Sequence, residues 1–454
     1  MSKLASKVKE REEDFVFLDE LFDRLFPICR SITGPGFRES LRILQETIPF
    51  EVMSFESGSQ VFDWTVPEEW WISSGSLIGP DQKVYADFEQ SNISVLNFSE
   101  AVDKEMSLED LQAHLYSIPE HPDAIPYVTS YYKRRWGFCL PHRVRENLPQ
   151  GKYKVKIVAE HKKGHLNCGH AFLPGKTKKE ILLSSYLCHP SLANNELSGP
   201  LVLAWLYKQL AQKEDRYFSY RFVINPETIG SLCYLSRFGE QLKLSLETGM
   251  VLTCLGGPEE TLSYKASRRE DSRLDRMIRA FSNDEVLKMR CREFTPLSGS
   301  DERQYCSPGF NLPVGHMSRT LYAEYDGYHN SLDTKEFMNI ETVLDSAEKI
   351  YRILNCYEKM GLYENTSPYG ELCLGKRGLY PSTNSHDTWK QSSDKKLDDR
   401  KFLNTVLAIL NYSDGKHDSV WIAEQMKWSP RELEPAIAVL QEHQVLKRIT
   451  ETCE

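Results

Sequence analysis

The stretch Ile181-Leu-Leu-Ser-Ser-Tyr-Leu-Cys-His-Pro-Ser-Leu-Ala-Asn-Asn-Glu-Leu-Ser-Gly199, running into Pro200-Leu-Val-Leu-Ala-Trp-Leu-Tyr-Lys-Gln-Leu210, decides how the chain is read. Its first seven residues form a short apolar run, which suits a strand buried on both faces of a sheet. From Leu201 to Leu210 the apolar residues recur at helical spacing, with Lys208 and Gln209 on the other face. Between strand and helix lies a polar turn holding one imidazole (His189), two amides (Asn194, Asn195) and one carboxylate (Glu196). In an open α/β sheet, ligands gather at the carboxyl ends of strands, where such turns sit. The turn is therefore either half of a metal site or a histidine beside a helix start capped by Asn195 or Ser198.

The same rhythm extends along the chain. Strand patterns at 153–160, 169–173, 181–187, 220–225, 249–255, 261–266 and 311–315 alternate with helical patterns at 197–212, 229–238, 271–282 and 340–358. This predicts an α/β fold, a doubly wound parallel or mixed sheet with helices on both faces. Ahead of it, residues 12–50 read as two helices broken at Ser31-Ile-Thr-Gly-Pro-Gly36, and from 51 short β-rich runs alternate with turn residues. Two strings there, Asp63-Trp-Thr-Val-Pro67 and Tyr127-Val-Thr-Ser-Tyr-Tyr132, are dense in aromatic rings and hydroxyls, a composition that builds a small β core or lines a cleft. The expected organisation is an α/β domain from 1–50 and 142–362, an inserted β-rich domain at 51–141, a linker or arm at 363–396 and a unit at 397–454. That last unit has three helical patterns and a terminal strand, the pattern of a winged helix. Its would-be recognition helix, 430–443, carries Glu432, Glu434 and Glu442 against Arg431 alone. A helix that enters a groove between phosphates should be basic. The expectation is a docking or homo-oligomer contact and no nucleic-acid partner.

Composition agrees. With 454 residues, 40% apolar, 27% charged and a net charge of −9, the chain reads as a multi-domain globular protein without the positive field that phosphate binding needs. No apolar run is long enough for a transmembrane helix, and the first fourteen residues lack the apolar centre of a secretory signal, so a cytoplasmic protein without a membrane partner is expected. Eleven cysteines are scattered without a Cys-x-x-Cys pair, as reduced thiols are.

Three further clusters fall where strands end. Asn225-Pro-Glu-Thr-Ile-Gly-Ser231 presents Glu227, Ser298-Gly-Ser-Asp-Glu-Arg-Gln-Tyr305 presents Asp301, and Tyr328-His-Asn-Ser-Leu-Asp-Thr334 presents His329. Each alone is an ordinary cap or surface group. Together they put two imidazoles and several oxygens at one edge of one sheet, a donor set suited to zinc. A carboxylate left off the metal can move protons during hydrolysis. Arg268 is a candidate clamp for a substrate carboxylate.

These clusters carry a resemblance. The order His189, Asn-Asn-Glu-Leu-Ser-Gly199, Pro-Glu227-Thr-Ile-Gly-Ser, Ser-Asp301 and Tyr-His329-Asn-Ser-Leu-Asp-Thr is similar to the co-catalytic zinc aminopeptidases. More closely it resembles a group of bacterial aminopeptidase-like domain proteins. Strings such as Phe62-Asp-Trp-Thr-Val-Pro67, Trp136-Gly-Phe-Cys-Leu-Pro-His142 and Lys376-Arg-Gly-Leu-Tyr-Pro381 extend the likeness over nearly the whole chain. The resemblance implies a zinc-aminopeptidase-like mixed sheet with an inserted β domain and a C-terminal winged helix. It also implies a zinc-dependent hydrolase that cuts an amide next to a free amino group, in a small peptide or an aminoacylated metabolite. Carried over by position, His189 and His329 match metal histidines, Asn195 stands where the bridging acid would be with Glu196 beside it, and Glu227 stands, as a single acid, near the pair that supplies one ligand and the general base. Asp301 becomes a catalytic or amine-binding acid, and His142 and Tyr328 join Arg268 as substrate-binding candidates. No acid occurs in Val251-Leu-Thr-Cys-Leu255, where a further metal aspartate belongs. These departures make one zinc, held by His189, His329 and an oxygen of Asn195, Glu196 or Glu227, the expectation, with two the alternative. They also open the alternative of a non-peptidase relative: a deacylase or tailoring enzyme of saccharide or natural-product biosynthesis, or a site that only binds.

Overall fold

The computed structural model describes residues 2–380 and 399–449, without side chains at 2–7, 283 and 323. The chain divides into two compact units, 1–269 with 292–348, and 270–291 with 349–454.

The first unit is built on a mixed sheet in the order Glu51–Glu56, His165–Leu173, Ser219–Asn225, Glu180–Tyr186, Leu246–Leu252, Val314–Ser318, Leu262–Lys265. The four strands from Ser219–Asn225 to Val314–Ser318 are mutually parallel; His165–Leu173 and Leu262–Lys265 flank them antiparallel, and the edge strand Glu51–Glu56 pairs antiparallel with His165–Leu173. Every residue of Glu180–Tyr186 and of Ser219–Asn225 is buried, as expected where helices cover both faces. Tyr186 pairs with Asn225, so the chain leaves two neighbouring strands at the same level and delivers Cys188-His189 beside Pro226-Glu227. Between Glu180–Tyr186 and the helix Ser198–Ala211 the chain makes one wide π-type turn at Ala193–Leu197. Such turns open the backbone and recur at functional sites.

Two strands lie in sheets other than the sequence pattern assigns. Glu51–Glu56, expected in the inserted β domain, is the edge strand of the main sheet, because Met53 packs into the core with Leu166 and Cys168. Lys152–Lys162, expected in the α/β domain, is a central strand of the small sheet, in the order Val84–Asp87, Glu69–Ile78, Lys152–Lys162, Val102–Ser107. Its exposed lysines alternate with buried Tyr153, Val155 and Ile157, the mark of an antiparallel sheet with one wet face. The strand expected at 311–315 runs three residues later, over Val314–Ser318.

In the second unit, helices Asp399–Tyr412, Ser419–Met426 and Pro430–Glu442 pack with a three-stranded sheet of Asp414–Asp418, Leu362–Asn365 and Leu446–Arg448. Leu362–Asn365 is thus a sheet strand where an arm was expected at 363–396; of that expected arm, 381–396 lie outside the described residues. The segment 270–291 joins this unit instead of the α/β domain, because Arg276 pairs with Asp418 and Glu424 and Asp284 accepts from Ser429. Among the described residues no helix is long and apolar enough to cross a membrane, and every cysteine is free.

Candidate metal centre

Within the first unit the parallel strands bring His189 and His329 together, their ring centroids 5.1 Å apart. His189 follows the strand Glu180–Tyr186 directly. His329 adopts a left-handed backbone (φ 56°), an unfavoured state for a non-glycine residue. It is held there by Tyr127, whose N–H donates to the His329 carbonyl at 2.7 Å. The Tyr127 ring also packs on both imidazoles, with centroids 5.0 Å from His189 and 5.5 Å from His329, and Tyr328 stacks on His329 at 3.9 Å.

The partner of each nitrogen decides what the pair can bind. His189 Nδ1 lies 2.7 Å from Glu196 Oε2, which leaves Nε2 facing Glu227 Oε2 at 3.9 Å. Burial works against a charged ring, but Cys188 and the Glu196 carboxylate outweigh it and hold the His189 pKa well above the ordinary value. For His329, burial and then the charge of His189 lower the pKa to about 3, so its ring is neutral. His329 Nε2 and Asn195 Oδ1 are buried without a hydrogen-bond partner among the described residues. Orphaned buried donors and acceptors are rare in folded proteins and ask for a missing group.

Asn195 is placed by its neighbours. Its N–H and that of Asn194 donate to the two oxygens of Asp333 at 2.9 and 2.7 Å, while its Nδ2 donates to the Tyr186 hydroxyl at 2.8 Å. That leaves Oδ1 as its unspent atom. Glu227 is fixed by Ser300, whose hydroxyl donates to Oε1 at 2.7 Å. Burial raises the Glu227 pKa, with the cation at His189 opposing. Its side chain keeps 28% exposure, so it fronts open space.

The set fits a single borderline cation. Two imidazoles and one amide oxygen come from two connections, the one after Glu180–Tyr186 and the turn at His329, and Glu196 stands where an outer carboxylate would orient a ligating histidine. A tighter cluster of Cys188, His189 and Glu196 also exists. Its nitrogen is already taken by Glu196, and burial pushes the Cys188 thiol up to about 11, so it offers a neutral sulfur. The Nε2 side is the better site on chemistry, and the same neutral thiol argues against Cys188 as a nucleophile.

The other expected site residues are engaged as follows. Glu196, expected as a ligand, is wholly buried between His189 and Arg30, whose Nε is 3.7 Å from Oε1. Asp301, expected as a catalytic or amine-binding acid, is fully buried and accepts from Asn225 Nδ2 (2.8 Å), Thr228 N (2.7 Å) and Ser231 Oγ (3.0 Å). It supports the Glu227 loop from beneath, where Thr228 holds a strained φ of 63°. Burial, then Glu227, pushes its pKa up to about 7. Arg268 is exposed and donates to Asn311 Oδ1 at 3.2 Å. His142 begins a short helix, with Nδ1 2.9 Å from Ser117 Oγ and Nε2 3.4 Å from Glu146. Tyr328 remains at the site. Sequence alone assigns no role to Arg30, Tyr127 or Asp333; Tyr127 carried a signal in its aromatic string and Asp333 in the string Tyr328–Thr334.

Comparison with known proteins places the chain. Residues 19–360 match the family described as "Domain of unknown function (DUF4910)", and 361–448 match a winged helix-turn-helix model. A Clostridium acetobutylicum protein called "Putative polysaccharide biosynthesis protein with aminopeptidase-like domain" is 36% identical, over 99% of this chain and 100% of its own length. A crystal structure of a "putative peptidase" from Clostridium acetobutylicum superimposes with a TM-score of 0.87 at 34% identity, over 99% of this chain and 100% of that one. BSAP, a zinc aminopeptidase from Bacillus subtilis, shares the fold at a TM-score of 0.56 and 12% identity, over 76% of this chain and 94% of that one. With a mixed sheet flanked by helices, aminopeptidase-like neighbours and a winged helix after them, the chain belongs to the DUF4910 family.

Proposed function

We propose that this protein is a metal-dependent hydrolase of the aminopeptidase type, acting on an amide bond. The observation that carries this reading is the pair His189 and His329, 5.1 Å apart, with His329 Nε2 and Asn195 Oδ1 buried and unpaired beside a partly exposed Glu227. His189, His329 and Asn195 would hold one zinc ion, which supplies Lewis-acid polarisation of a carbonyl. Three protein ligands leave a position open, as catalytic zinc sites do. Glu227, with Oε1 anchored by Ser300, accepts the proton of the attacking water at Oε2 and returns it to the leaving amine. Its raised pKa suits that double duty near neutral pH. Tyr127 and Tyr328 pack against the imidazoles and limit the access of bulk water.

The peptide substrate with a free amino group is the reading closest to the fold. One observation favours a second: among the described residues, and apart from Glu227, which serves as the base, Asp301, Asp333 and Glu196 beside the imidazoles are all engaged and none is left for an ammonium ion. Asp301 is saturated by three donors, Asp333 takes two N–H groups, and Glu196 serves His189. An N-acylated saccharide needs no such carboxylate, and the Clostridium relative is named for polysaccharide biosynthesis. We assign the winged helix to docking, because Glu432 and Glu434 on its helix Pro430–Glu442 are met by Lys401 and Lys359 inside the unit and no basic face results.

The test is metal analysis of the purified chain, followed by turnover of aminoacyl amides and N-acyl hexosamines after zinc loading. Zinc bound at one equivalent and turnover lost in Glu227→Gln are expected. Failure to bind zinc, or no hydrolysis of either class, would refute the hydrolase.

A further inference from the structure

Beside the centre lies a cleft of about 590 Å³ that the mechanism does not use. Its walls come from the two aromatic strings of the inserted region. A short hairpin pairs Gln60–Val61 with Trp64–Thr65 and turns through Phe62, which sits at φ 54°. A bulky aromatic residue in that conformation is an outlier that ordinary hairpins avoid by using Gly or Asn. The turn leaves Phe62 52% and Trp64 37% exposed, and Tyr132 opposite is 53% exposed. The Trp64 and Tyr132 rings meet at 72° with centroids 5.4 Å apart, forming a corner with two apolar faces open to solvent.

The rim of the corner carries Asp63, Glu68, Lys133 and Arg134, two acids and two bases. Glu68 and Arg134 pair with each other, while Asp63 is exposed with no ion pair among the described residues. A charge-balanced rim does not select a charged ligand, yet it offers both hydrogen-bond donors and acceptors. Large open aromatic faces cost solubility unless something covers them. A sugar ring matches both properties: its C–H face is apolar and flat enough to lie on an indole, and its edge is a ring of hydroxyls.

The cleft also touches the centre through a single residue. Tyr131 lines it, and the Tyr131 hydroxyl is 2.7 Å from that of Tyr127, whose ring packs on His189 and His329. Two tyrosines in series, Tyr131 and Tyr127, therefore separate a ligand in the corner from the imidazoles.

We propose that the Trp64–Tyr132 corner is a saccharide subsite, which holds a neutral sugar unit remote from the bond that reacts. This deepens the N-acyl saccharide reading above, and its test is independent of turnover. Saturation-transfer NMR and calorimetry on the full chain would use cellobiose, maltose and N,N′-diacetylchitobiose, with a proline-rich peptide as the competing ligand class. Binding of at least one saccharide is expected, weakened roughly tenfold in Trp64→Ala and in Tyr132→Ala, as loss of an aromatic platform predicts. Both side chains are exposed, so the variants should keep the parent thermal midpoint. Binding should persist in His189→Ala, so a failed hydrolase leaves this test standing. No saccharide binding to the folded chain would overturn the proposal. So would binding indifferent to both substitutions, or occupation of the cleft by the peptide alone.

Discussion

Glu196 Oε2 engages Nδ1 of His189 at 2.7 Å, and by doing so it chooses Nε2 as the nitrogen that faces Glu227 and the open side of the centre. A carboxylate on the far nitrogen fixes both the tautomer and the orientation of a ligating ring. The same carboxylate is the charge partner of Arg30, and both side chains are fully buried.

Replacing Glu196 by Gln should therefore have two separable effects. Zinc affinity should fall about 10- to 100-fold, read by competition with a chromophoric chelator. The thermal midpoint should also fall, because Arg30 is left as an uncompensated buried charge, a loss of about 3–5 kcal/mol. Adding Arg30→Met should restore the midpoint and leave the affinity low. If Glu196→Gln binds zinc as the parent does, the orienting role is wrong.

Metal affinity should depend steeply on pH. The His189 pKa is held above the ordinary histidine value, so at neutral pH a proton competes for Nε2. Metal binding must release that proton. Apparent affinity should rise about tenfold per pH unit while pH is below that pKa, and level off above it. Proton release measured by calorimetry in two buffers of different ionisation enthalpy gives the check; a flat profile would show that His189 is not a ligand.

Asp301 should behave as a brace and not as a reacting acid. Asp301→Ala strands the N–H of Thr228 and the side-chain amide of Asn225, at a cost of about 1–3 kcal/mol for each buried group left unpaired. The thermal midpoint should drop clearly. Asp301→Asn keeps one acceptor for the Thr228 N–H and should recover part of the loss together with part of the activity. An Asn variant as stable as the parent but without turnover would instead make Asp301 a participant in proton transfer.

Acid should loosen the second unit at a definite point. Asp284 accepts from Val286 N (2.8 Å), Leu287 N (2.6 Å) and Ser429 Oγ (2.5 Å), and pairs with Arg431 at 3.1 Å. Burial opposes the charge, but these donors and the guanidinium hold its pKa below the usual carboxylate range. A depressed folded pKa gives stabilisation that is present above the unfolded value, about 3.9, and is lost as pH falls through the folded one. Hydrogen exchange in the helix Pro430–Glu442 should therefore accelerate below about pH 4. In Asp284→Asn it should already be faster at neutral pH and depend less on acid.

The parts of this architecture legible in the sequence are those with a local signature. The strand Glu180–Tyr186 announces itself as an unbroken apolar run, and His189 and His329 stand in turns between recognisable elements. The contact of Glu196 with His189 Nδ1 was not legible, because the wide turn at Ala193–Leu197 decides which of two adjacent polar residues faces which way, and spacing alone cannot register one extra residue per turn. The burial of Asp301 was not legible because burial is a tertiary property: its three donors come from Asn225, Thr228 and Ser231, seventy or more positions away. Arg30 had no local signal at all, since its partner Glu196 is 166 positions downstream. The strand Glu51–Glu56 was given to the wrong sheet because an alternating hexapeptide fits either, and only the packing of Met53 decides.

The register of that strand has a consequence for how such a protein can change. Glu56 sits opposite His165, so everything from 57 to 164 is a detour that departs and comes home at adjacent rungs of one ladder. A short reverse turn could bridge the gap without disturbing a single pairing of the main sheet, which makes the detour exchangeable as a block. Yet the block carries Tyr127, whose amide grips His329 and whose ring covers both imidazoles. Exchanging it would keep the scaffold and uncover the two imidazoles, so the sheet tolerates what the His189–His329 pair does not.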